Sequence, residues 1–239
     1  MENKTLSIGG CLKKAWHAFT HRFGFWAGLI GISIAIFMIP GIVHVASPGQ
    51  VAVNVTETGV QVTTTADPMV HIINSALYTL LGVFVGMGWT NVALRYVYGE
   101  EVSWGDFWRP LKYGRMFFSF LVAGILYSLI LLAGLMLFVF PAFIWASMFM
   151  MWPYYVVRHQ LGPIQALKAA AHTSRGAKWD LFALLLVLVL LSAAGIAALL
   201  IGALVVYVIE AIAKAEAFKQ LYHETTLPPE LDVPPQEIV

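Results

Sequence analysis

The chain is poor in two things, cysteine and charge. Of its 239 residues one is a cysteine, Cys11. An intramolecular disulfide, a CxxC redox pair and a cysteine zinc site are thereby excluded. Charged residues make up 11% and hydrophobic residues 59%, against about 25% and about 45–50% in a soluble globular domain. Mean hydropathy is +0.78. These values exclude a disordered chain and argue against a soluble enzyme. They point to a polytopic membrane protein. A formal charge of +1 leaves no global basic surface for nucleic acid. The sequence also has no Ser-His-Asp constellation, no Walker loop and no DNA-binding motif, so no catalytic residue, cofactor or metal is assigned.

Four stretches contain no Asp, Glu, Lys or Arg: 23–56, 68–94, 116–157 and 181–209. A spanning helix needs about 20 apolar residues, each rising about 1.5 Å. The first two stretches hold one span each, 25–45 and 69–97. Stretch 116–157 is about twice too long for one crossing and must turn, most naturally at Pro141. This predicts spans 117–139 and 142–157. The last apolar region runs on to Tyr222 and is expected to turn near Gly202, giving spans 181–200 and 204–222. Residues 1–223 thus form one six-span domain, and 224–239 a proline-rich acidic tail.

All fourteen Lys and Arg residues fall on one side of this arrangement. By the positive-inside rule, both termini face the cytoplasm. Trp16, Trp26, Trp104, Trp108, Trp152 and Trp179 fall near the same interface, where tryptophan is enriched. Trp89 and Trp145 fit less clearly. The first span resembles a signal peptide, but its apolar run exceeds the usual 7–15 residues. A retained span is the preferred reading.

Each pair of spans is preceded by an amphipathic segment: 6–23, 102–117 and 163–179. Such segments can lie in the interface plane. The first and third share Leu-Lys-x-Ala-x-His, at Leu12 to His17 and Leu167 to His172. The repeated order of interfacial helix and helical hairpin suggests one unit used three times. Between the first two spans, loop 47–68 alternates Val51, Val53 and Val55, then Val60 and Val62, around Thr56-Glu57-Thr58-Gly59. This predicts a small external β-hairpin, with an irregular loop as the alternative.

Glu210 is the most unusual residue. A carboxylate inside a membrane span is costly and by default suggests function. Lys214 stands at i+4, in the favourable orientation for pairing, and Glu216 and Lys219 form a second candidate pair. A proton or ion relay is one reading. A self-paired face turned into the bundle is the other. Candidate polar partners are Asn74, Ser75, Asn91, Tyr127, Ser128 and Ser147. Lys13, Lys14, Arg109, Lys112, Lys168, Arg175 and Lys178 are candidate contacts to anionic lipid headgroups. His44 and His71 with Asp67, and His17 with His21, lack convincing ligand spacing. Small-residue pairs Gly24–Gly28 and Gly82–Gly86 suit close helix packing, internally or in a homodimer.

The run Phe140-Pro141-Ala142, Trp152-Pro153-Tyr154-Tyr155-Val156-Val157, Leu161-Gly162-Pro163-Ile164-Gln165-Ala166-Leu167-Lys168, Ser174-Arg175-Gly176 and Trp179 resembles a bacterial membrane-protein superfamily. It includes the membrane domain of some glycerophosphodiester phosphodiesterases and the YciC-like inner-membrane proteins. The likeness covers about 140–182. Ala142 replaces a usual glycine, and Ala171-His172 stands where Ser-Trp is common. The resemblance implies a six-helix membrane fold; it does not imply phosphodiesterase activity.

The expectation is an all-α membrane bundle of the bacterial cytoplasmic membrane. It would be a non-enzymatic accessory, scaffold or lipid-interacting protein. Its partners would be membrane lipids and other membrane proteins or copies of itself, not nucleic acid. The alternative is a small permease-like transporter using Glu210 and Lys214.

Overall fold

The computed structural model describes residues 6–46, 50–56, 59–65, 68–197, 201–223, Pro228 and Leu231. The predicted hairpin turn at 57–58, the breaker at 47–49, Asp67 and nearly all of the tail lie outside the described residues.

Helix α1 (Ile8–His21) starts at Ser7, whose hydroxyl accepts the Gly10 amide at 3.2 Å, a side-chain N-cap. It buries Cys11, Ala15, Ala18 and Phe19, one helical face. Helix α2 (Phe23–Ala46) follows at once. Its Trp26 indole donates to the Ala18 carbonyl at 3.0 Å, pinning the two helices together. Strands β1 (Gln50–Thr56) and β2 (Gly59–Thr65) pair antiparallel with Val53 opposite Val62. Helix α3 (Pro68–Val97) has 30 residues, about 45 Å at 1.5 Å per residue. Its buried residues all lie between Phe84 and Leu94.

Helix α4 (Trp104–Trp108) runs into a 3-10 turn, Arg109–Lys112, and then helix α5 (Gly114–Leu137). Helices α6 (Val139–Phe149) and α7 (Trp152–His159) occupy the second half of the long apolar stretch. Two boundaries differ from expectation. The chain turns at the extended residue Phe138, ahead of Pro141. Proline lacks an N–H, and the first turn of a helix is where that donor has no intrahelical partner. Residues 142–157 are also not one helix. Pro153 cannot bond to the Phe149 carbonyl and its ring crowds it, so α6 stops at Phe149.

Helix α8 (Pro163–Thr173) begins where Gly162-Pro163 places it, and the Gly162 amide donates to Gln165 Oε1 at 3.3 Å. It ends three residues before Gly176, which sits in the following turn at φ +96°. Helices α9 (Lys178–Ala197) and α10 (Ile201–His223) form the last hairpin. At its closed end a Cβ on Gly195 would lie 2.9 Å from the Gly202 carbonyl oxygen. Only glycine permits that approach.

Among the described residues, four helices, α2, α3, α5 and α9, are long and apolar enough to cross a membrane. With their exposed Leu, Ile, Met and Phe flanks, this is the build of an integral membrane protein. Buried core residues come from every helix except α6, whose partly buried Phe149 packs against the core. Trp26 and Trp152, expected at the interface, are buried in it, as is Trp89, while Trp16, Trp104, Trp108 and Trp179 are exposed.

Candidate functional site

Glu210 lies nine residues into α10, about 13 Å from its start. Lys214 Nζ donates to Glu210 Oε2 at 2.9 Å. The hydroxyl of Ser192, on α9, bonds the other oxygen, Oε1. Both acidic and basic side chains border a cavity of about 330 Å³. Its walls come from α3 (Trp89, Thr90), α5 (Phe120, Tyr127), α7 (Trp152, Tyr154), α9 (Leu185) and α10 itself (Tyr207). The ion pair is therefore neither a lone charge in the bundle nor a surface pair. It faces an aromatic chamber.

Of the polar partners expected from sequence, only Tyr127 lines this chamber. Asn91 instead donates to the Asp106 carbonyl at 2.7 Å, and Ser128 and Ser147 bond their own helices. Ser192, Thr90, Tyr154 and Tyr207 were not anticipated. Ser192 carried a signal: it precedes Ile201 by as many residues as Glu210 follows it. An antiparallel hairpin brings such positions level.

Apart from Glu210 and Lys214, the charged residues among those described gather at one end of the bundle. That end holds the C-termini of α3, α7 and α10 and the N-termini of α5 and α9. Arg95 reaches Glu100 at 3.2 Å and Asp106 at 3.6 Å. Arg109 reaches Asp106 at 3.1 Å, and Arg158 reaches Glu100 at 3.4 Å while stacking over Tyr98 at 3.9 Å. The expected Glu216–Lys219 pair does not form. Buried Glu216 bonds Lys14 at 2.5 Å and Gln220 at 3.1 Å, and Lys219 donates to the Val97 carbonyl at 2.8 Å. The two residues are three apart on α10, but α1 and α3 press on it from different sides and claim one each.

Among the candidate headgroup contacts, Lys14 and Arg109 thus meet protein carboxylates. Lys13, Lys112, Lys168, Arg175 and Lys178 are exposed. Lys13 and Lys14 also line a second cavity, of about 380 Å³, with His17, Tyr96 and Glu216. His17 and His21 stack at 5.7 Å. The side chain of His44 and all of Asp67 lie outside the described residues, so their relation to exposed His71 is not defined. Gly28 packs under Trp104 and Gly86 against Phe120, which are internal contacts.

Next to Glu216, burial pushes the Cys11 thiol up to about 11, and the Glu216 carboxylate adds to the rise. A thiol held protonated in this way is a packing residue rather than a nucleophile.

No family model, curated protein or solved structure matches the chain.

Proposed function

We propose that this chain is a non-enzymatic protein of the bacterial cytoplasmic membrane that acts by engaging lipid and partner subunits, as an accessory or scaffold. In this reading α6 with α7, and α10, supply two further crossings, making six in three units. The termini and the charged end face the cytoplasm, and the β1–β2 pair lies outside. The proposal places the chain in the superfamily that its 140–182 segment resembles.

One observation carries the reading. Each amphipathic segment buries one apolar face and leaves further large apolar groups exposed beside cations. In α1, Ala15 and Ala18 are buried while Trp16 is exposed one turn from Lys13, and Phe23, just beyond the helix end, is exposed beside Arg22. Around α4, Trp104, Trp108 and Leu111 are exposed next to Lys112. In α8, Ala166, Ala169 and Ala170 are buried and Ile164 is exposed with Lys168. Trp179 is exposed beside Lys178 at the start of α9, four residues after Arg175. Aromatic groups at headgroup depth, flanked by cations, suit an anionic lipid surface.

The test is gentle extraction followed by native mass spectrometry. Each cation near an anionic surface contributes about 1 kcal/mol. Replacing Lys13, Lys112, Lys168, Arg175 and Lys178 by Gln should strip most co-purifying anionic lipid while the protein stays monodisperse. Equal retention would overturn the lipid reading, and a stoichiometric protein would identify the partner.

The aromatic chamber favours a second reading, a small transporter with Glu210 and Lys214 in its path. There, Glu210→Gln with Lys214→Met should abolish a transport phenotype without loss of folding. Unchanged transport would remove the pair from any transport path.

A further inference from the structure

We infer that the chamber at Glu210 and Lys214 is a binding site for a zwitterion, a ligand carrying an ammonium group together with a carboxylate or phosphate. The inference deepens the second reading above and rests on the pair being functional.

The argument begins with the pair's spare bonding capacity. A carboxylate offers about four acceptor positions and an ammonium three donors. Glu210 uses one oxygen for Lys214 and one for Ser192. Room remains on both oxygens for a second cation. Lys214 makes one hydrogen bond at 2.9 Å to Glu210, and its other N–H groups can meet an anion. The two side chains remain 22% and 30% exposed, although they belong to the bundle. A zwitterion can therefore add to the pair without breaking it, its ammonium on Glu210 and its anion on Lys214.

Net charge supplies the selectivity. The pair is neutral overall, and no other charged residue lines the chamber among the described residues. A ligand with a single charge would bring that charge in uncompensated, at a large desolvation cost. A zwitterion leaves the chamber neutral. The walls favour the ammonium end. Trp89, Tyr154 and Tyr207 line the same chamber as the pair, and aromatic groups attract ammonium groups. The Thr90 hydroxyl donates to the Gly86 carbonyl at 2.8 Å, which leaves its oxygen as an acceptor. The volume of about 330 Å³ matches the lower range of ligand sites, about 300–1,000 Å³. Tyr207 is 45% exposed on the flank of the bundle, so the chamber meets the side of the protein.

This chemistry is shared by the headgroup of an ethanolamine-type phospholipid entering from the side and by a soluble amino acid. The experiment separates them. The full chain in mild detergent is titrated while tryptophan fluorescence is read, since Trp89 and Trp152 line the chamber. The probes are lysophosphatidylethanolamine, β-alanine, lysophosphatidylglycerol and dodecyltrimethylammonium. The zwitterionic probe should bind saturably and at least about tenfold more tightly than the single-charge amphiphiles, as expected for one charge-assisted contact. Preference for lysophosphatidylethanolamine over β-alanine assigns the lipid source, and the reverse assigns the soluble one. Glu210→Gln should shift preference toward the anionic amphiphile, and Lys214→Gln toward the cationic one. Equal binding of all three amphiphiles by the unaltered protein would overturn the inference, whether or not the variants fold. Selective zwitterion binding with transport unaffected by Glu210→Gln and Lys214→Met would overturn only the transport reading.

Discussion

Asp106 is 1% exposed, yet it organises several neighbours. Its Oδ2 accepts the Ser103 amide at 2.7 Å and the Ser103 hydroxyl at 2.9 Å, reaching back to the start of α4 as a capping-box residue does. Its Oδ1 faces Arg95 and Arg109. A buried carboxylate tolerates that position because it is both bonded and paired. Cys11 is the opposite case, a buried group kept neutral. Its thiol, held at about 11, compares with about 8.5 in an unfolded chain. Below about pH 8.5 both states are protonated and the thiol's contribution is intact. As pH rises from there toward 11, only the unfolded state ionises, so stability falls. At pH 8.5 iodoacetamide should alkylate the native protein about a hundredfold or more slowly than the detergent-denatured chain. Comparable rates would show that Cys11 is neither buried nor shifted.

Helix α4 is short and owes its position to α3. Gly88, Asn91 and Arg95 lie along one face of α3 and all touch it. Asn91 donates to the Asp106 carbonyl, and Arg95 meets the carboxylate. A Cβ on Gly88 would lie 2.8 Å from the Phe107 carbonyl oxygen and 2.7 Å from its ring. Gly88→Ala should therefore destabilise by about 1–3 kcal/mol through overpacking. Gly82, two turns earlier on the same helix, has nothing within 4 Å. There the same change should be neutral or stabilising by up to about 1 kcal/mol, since alanine favours helix. Thermal unfolding in detergent compares the two. Similar melting shifts would mean that α4 does not pack on α3 as described.

At the scale of the molecule, charge among the described residues is segregated along the bundle axis. Lys14, Arg95, Arg109, Arg158 and Lys219 all make their contacts at one end, and β1 and β2 sit between the opposite ends of α2 and α3. The proposed orientation puts the charged end in the cytoplasm. The single cysteine makes this simple to test. In a Cys11→Ser background, Gln61→Cys should react with a membrane-impermeant maleimide in intact spheroplasts. Lys168→Cys should react only after permeabilisation. The inverse pattern would reverse the topology, and labelling of both from outside would break the span count.

Much of this was legible in the residues themselves. The charge-free stretches locate α2, α3, α5 and α9, because a hydrocarbon environment excludes charge wherever a helix must cross. Gly162-Pro163 marks the start of α8, because a missing N–H is a local property. The Glu210–Lys214 pair is equally local, set by one helical turn. Other features depend on which elements meet. Proline predicts a break but not on which side of it the chain turns, hence Phe138 rather than Pro141. Lys14, 202 positions away along the chain, displaces Lys219 as the partner of Glu216. Trp26 and Trp152 have the composition of interfacial residues but are enclosed by neighbouring helices. The chamber around Glu210 needs side chains from five helices at once. Spacing along one helix specifies contacts over about four residues, whereas a cavity is defined by surfaces that only packing brings together.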